Sequence, residues 1–126
     1  MKKPFRFAIL ITAFVAVAYL ALPQSGNDSL DSLKACAATQ KLIFENEFVR
    51  VIDDRIPPGV TEPLHRHRHG VVISLTTSTY ETVTQDGKKT LMQHEEGAAQ
   101  WSEATVHTVK NAGNALAHAI RIELKY

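Results

Sequence analysis

Apolar positions fall along the chain in three textures. Phe7 to Leu22 is an unbroken apolar run apart from Thr12, behind a basic start of Lys2, Lys3 and Arg6. As a helix its sixteen residues span about 24 Å, short of a bilayer core of about 30 Å. This pattern predicts an N-terminal hydrophobic helix. Residues 1–24 are expected to act as a signal peptide, or residues 7–22 to stay as a membrane anchor. Small residues recur at Ala16, Ala18, Ser25 and Gly26, and none marks a sharp cleavage point.

The second texture, residues 25–40, is polar and small-residue rich and reads as a linker. Ser29 to Ala38 is expected to form a short helix capped by Asp28 or Ser29. Cys36 is expected to be a free thiol in a flexible stretch.

The third texture begins at Lys41 and predicts one all-β domain over 41–126. Phe48 to Ile56 reads as a strand stopped by Pro57-Pro58-Gly59, and Val71 to Leu75 as a buried strand. Thr76 to Thr84 and Lys89 to Gln93 flank an Asp86-Gly87 hairpin turn. Ala99 to Trp101, Thr105 to Lys110 and Leu116 to Leu124 complete the set, the last two separated by an Asn111 to Asn114 turn. Short strands at regular spacing without a helical period indicate a sandwich or barrel.

Composition narrows the function classes. In 126 residues, 44% hydrophobic and 21% charged is a globular balance, which excludes a disordered chain. A net charge of +1 supplies no basic field for nucleic acid. A single cysteine excludes an intramolecular disulfide framework and cysteine-rich zinc modules. No Ser-His-Asp set or nucleotide fingerprint is present. The membrane enters only through the N-terminal segment.

The six histidines are the densest chemical feature. In His65-Arg66-His67-Arg68-His69, alternate strand residues share a face, so His65 and His67 can reach one ion. Neutral imidazole suits Zn, Cu, Fe and Ni. His107, between Val106 and Val109, is the candidate third ligand. From the run alone, a solvated basic edge strand is an equal alternative.

Gly59 followed after five residues by His65-x-His67 resembles the start of the first cupin motif. His107-Thr-Val-Lys-Asn111 resembles the end of the second, with Gly97 near its opening glycine. The Asn46-Glu47-Phe48-Val49-Arg50-Val51 strand before Pro-Pro-Gly is similar to that of small single-domain cupins. The likeness covers about Glu47 to Lys125. It implies a double-stranded β-helix, the cupin jelly roll, holding a metal inside, and it implies pairing into a homodimer.

The pattern departs from the family at one place. Where cupins carry a Glu after three or four intervening residues beyond the second histidine, this chain has Val71 and Val72, and no acid lies between Glu62 and Glu81. A three-histidine facial site of His65, His67 and His107 is what remains. It would hold a divalent ion, Fe(II) foremost, otherwise Mn, Ni, Cu or Zn. Three neutral ligands leave the ion its full charge and open positions, which favours a small anionic ligand. The missing carboxylate leaves no evident general base.

His69, Trp101, Asn111 and His118 are candidate pocket residues. His118 alternates with Leu116, Ile120 and Ile122, so it is expected to face the interior. Arg50 and Arg121 lie in strands, where either could bind a substrate carboxylate but a solvated face is expected, and His94 is expected in a surface turn. Two functions follow. One is an exported, metal-dependent, dioxygenase-like enzyme, periplasmic or secreted. The other is a non-catalytic periplasmic module that binds a small ligand or the metal itself.

Overall fold

A computed structural model describes residues 28–126. The expected apolar helix, the 1–24 signal or anchor and the first residues of the linker lie outside the described residues.

One short helix and nine strands follow in order. They are α1 (Ser32–Ala35), β1 (Gln40–Glu45), β2 (Val49–Ile56), β3 (Thr61–His67), β4 (Gly70–Ser74), β5 (Ser78–Thr84), β6 (Lys89–His94), β7 (Ala99–Ser102), β8 (Thr105–Asn111) and β9 (Ala117–Leu124). They form two antiparallel sheets, one ordered β1-β2-β9-β4-β7 and one β3-β8-β5-β6. Turn chemistry sets the corners. Gly59 and Gly87 take φ of 75° and 86°, a region open to glycine without steric cost.

The sheets face each other over a mostly polar interior. On β9, Ala117, Ala119, Arg121 and Glu123 are buried, while His118, Ile120, Ile122 and Leu124 on the other face are partly exposed. Outward, Phe44, Val51, Ile122, Val71 and Trp101 align in register across all five strands. The inward row beside it is Ile52, Arg121, Val72 and Gln100. The closed apolar core is small, a cluster of Ile56, Tyr80, Val109 and Ala117.

Gly70 is fixed by close approach. A Cβ there would sit 1.9 Å from the Ile122 carbonyl oxygen, so β4 reaches β9 only without a side chain.

Residues 28–40 are held against the barrel. Asp31, not Asp28 or Ser29, caps α1 by accepting from the Leu33 N–H (3.1 Å). Its other oxygen pairs with Arg50 (2.6 Å), and Asp28 pairs with Arg66. The Arg66 N–H donates to the Leu30 carbonyl. Cys36, expected in a flexible stretch, is instead 2% exposed.

Candidate metal centre

β3 and β8 pair so that His65 lies directly across from His107. His67 follows two residues later on the same face. The three rings converge, with centroids 4.7, 4.9 and 5.6 Å apart. One ring nitrogen from each lies within 4.8 Å of the others.

Hydrogen bonds behind the rings determine what points into the gap. His65 Nδ1–H donates to the Pro63 carbonyl (2.7 Å), and His67 Nδ1–H donates to Glu123 Oε1 (2.6 Å). Both partners accept, so each Nδ1 is the donor and Nε2 is the atom of each ring left to face the gap. Those two nitrogens are 3.0 Å apart. Bonds of about 2.1 Å meeting at a right angle place ligand atoms about 3.0 Å apart, so the spacing is that of two adjacent ligands.

His107 completes the set. Its Nε2 is buried without a hydrogen-bond partner, and a buried orphan polar atom calls for an explanation, which a bound ion would supply. Burial, reinforced by His65, His67 and Arg121, pushes the His107 pKa down to about 3. Burial, then Arg121, likewise holds His67 well below the usual imidazole range. Both are neutral at ordinary pH, the form that binds metal. The donor set fits a divalent ion of the nitrogen-preferring kind.

Four charged residues surround this centre, and sequence reasoning had assigned none of them. Glu123, fully buried, braces His67 from behind, and its second oxygen accepts from Arg50 Nε (2.9 Å). Such a carboxylate fixes the tautomer and raises ligand basicity. Arg50 is thus a bracing residue, not a solvated one. Glu62 stands 3.7 Å from His65 Nε2. Glu62 and His65 are an odd number of residues apart, yet a β-bulge between them returns both to one face. β3 is an edge strand, where Pro63 is tolerated. The carboxylate absent from position 71 or 72 is therefore replaced nearby by one from the strand before. Asp54 is the fourth, its carboxyl held well above its usual range, chiefly by burial and then by Glu62.

These groups line a cavity of about 180 Å³, with Asp54, Glu62, His67 and His107 on its wall. Arg121, expected on a solvated face, is 9% exposed and also lines it. Its guanidinium donates to the Arg68 carbonyl and Ser102 Oγ, and its Nε, which makes no hydrogen bond, lies 3.6 Å from Glu123 Oε1. His94, expected in a surface turn, lines the cavity too, with its ring against Tyr80 and Gln100.

The other candidate pocket residues separate. His118 is corrected: it faces outward and bonds Asp53 (2.6 Å). Asn111 is also corrected. Its amide donates to the Ile56 and Ala115 carbonyls and its oxygen accepts from Gly113 N–H, so it staples a turn. His69 lies beyond the end of β3, stacked on Trp101. Trp101 borders the cavity but is 55% exposed, with its indole N–H on Glu103.

No family model matches the chain, and no curated protein does. Solved structures do. A cupin domain from Bordetella pertussis Tohama I is 29% identical, with a TM-score of 0.64 over 69% of this chain and 92% of its own. An RmlC-like cupin with a double-stranded β-helix fold from Methanocaldococcus jannaschii is 14% identical, with a TM-score of 0.52 over 68% and 77%. KdgF from a Halomonas species is 13% identical, with a TM-score of 0.50 over 69% and 77%. The described residues share the double-stranded β-helix fold of these cupin domains, and it carries the three histidines inside.

Proposed function

We propose that this cupin domain binds a divalent metal, Fe(II) foremost, through His65, His67 and His107, and acts on a small anionic substrate. The observation that supports the reading most is the convergence of one ring nitrogen from each of His65, His67 and His107, with the buried His107 Nε2 left without a hydrogen bond. Burying a polar atom without a partner is costly, and a bound cation would remove that cost. The ion would supply open coordination positions and, as iron, redox chemistry.

The protein's own residues account for the rest. Arg121, a buried cation in the cavity wall, is placed to pair with a substrate carboxylate. Asp54, its carboxyl pushed well above the usual range by burial and then Glu62, is placed on the cavity wall as the candidate acid. A cavity of about 180 Å³ suits a small molecule and not a polymer. A proton donor beside the metal favours catalysis over capture. Export, through residues 1–24 or an anchor at 7–22, is part of the same proposal.

The test is oxygen uptake by the iron-loaded chain against a panel of small carboxylic acids, with His107→Ala as the control. The proposal expects uptake with at least one class of acid and none in the variant. Substrate-independent binding without turnover would leave the non-catalytic module. No response to any acid, in uptake or in the metal's spectrum, would contradict both.

A further inference from the structure

Metal-ligating atoms converge in a second place. Cys36 Sγ, a Glu62 carboxylate oxygen and a His65 ring nitrogen lie within 4.8 Å of one another, with all three side chains buried. We infer that Cys36, Glu62 and His65 form a second, thiolate-bearing metal position that shares His65 with the three-histidine centre. The inference does not depend on the reading above, because two of its three ligands are different.

The surroundings are rich in acceptors and poor in donors. Glu62 receives the Thr39 hydroxyl and the Gln40 amide, the latter at 3.1 and 3.3 Å. Gln40 is 5% exposed, and its own amide oxygen is buried without a partner. Asp54, opposite Gln40 in the β1–β2 register, leaves Oδ1 buried without a partner as well. A thiol, two carboxyl groups and an orphan amide oxygen gather in one buried region, with Arg121 as the cation that acts on both carboxyl groups. The sulfur would bind a cation as the thiolate. The S–H bond breaks as the sulfur–metal bond forms, and the proton passes to solvent.

Geometry makes the two positions exclusive. His65 Nδ1 is committed to Pro63, so Nε2 is its one coordinating atom. That atom lies 3.0 Å from His67 Nε2 on one side and 3.7 Å from Glu62 Oε2 on the other. Its single lone pair can serve either centre, not both. Thiolate, imidazole and carboxylate together suit tetrahedral Zn²⁺ or Co²⁺, whereas three imidazoles suit Zn, Cu, Fe or Ni alike. The thiolate would thus distinguish the two positions about one shared histidine. The residues before β1 would be part of a metal site.

Cobalt reports the difference directly. Co²⁺ is titrated anaerobically into the reduced full-length chain, and the near-ultraviolet thiolate-to-cobalt charge-transfer band is followed. The expected result is a saturable band in the wild type, lost in Cys36→Ser and Glu62→Gln and kept in His107→Ala. No band in the wild type, or a band that survives Cys36→Ser, would overturn the inference. The wild-type arm decides even if a variant fails to fold, and circular dichroism identifies such a failure. Cobalt bound without the band and lost in His107→Ala would sink this site while sparing the three-histidine reading.

Discussion

His65 and His67 present their Nε2 atoms to each other at 3.0 Å, each with its Nδ1 proton given to an oxygen behind it. This arrangement makes the rings ligands in waiting, because neither can turn its proton inward without abandoning a buried acceptor. The bracing groups should therefore matter nearly as much as the ligands.

Glu123→Gln tests the bracing. The amide can accept the His67 proton but leaves Arg50 without its buried counter-charge. Metal affinity should fall by about 10–100-fold. Competition with a chelator of known affinity measures it, and unchanged affinity would mean that Glu123 serves Arg50 alone.

Acid should unfold the metal-free chain partly through His107. Its pKa falls from an ordinary 6.5 to about 3 on folding. Between those values the unfolded chain binds a proton that the folded chain does not. Stability therefore rises with pH across that window and is lost as pH drops through it. In chelator-treated protein, His107→Phe should flatten the slope of unfolding free energy against pH between about 6.5 and 3 by up to one proton. An unchanged slope would mean that His107 is protonated in the fold.

Arg121→Gln should weaken binding of small carboxylates to the metal-loaded chain by about tenfold or more, the equivalent of one charge-assisted hydrogen bond. Metal content should be retained. Titration calorimetry measures both, and loss of metal would assign Arg121 to the barrel's integrity instead.

Gly70→Ala should cost more than about 3 kcal/mol or prevent folding, since the added Cβ meets backbone at 1.9 Å. Denaturant unfolding checks it. A loss of under about 1 kcal/mol would show that β4 and β9 can separate freely.

Much of the barrel is legible in the residues. Pro57-Pro58-Gly59 and Asp86-Gly87 mark the corners, and the alternating runs between them become strands. The spacing of His65, His67 and His107 also carries through to one converged group. What is not legible has two causes. Alternation reveals which residues share a face but not which face is inside. On β9 the apolar set faces outward and Arg121 and Glu123 face in, because the interior is a polar cavity. That inversion misplaces His118 and hides Glu123. The second cause is the bulge at Pro63, which shifts Glu62 onto the histidine face. A proline two residues before a candidate ligand was the available signal. Cys36 was hidden for a simpler reason: small polar residues before a barrel look like a tether even when they pack beneath it.

Metal content tests the central claim most directly. The full-length chain, purified without a polyhistidine tag and loaded anaerobically with Fe(II), is compared with His65→Ala and His107→Ala by mass spectrometry for metal per chain. The expected result is near-stoichiometric iron in the wild type and its loss in both variants. Iron absent from the wild type, or held equally by the variants, would contradict a centre joining β3 to β8.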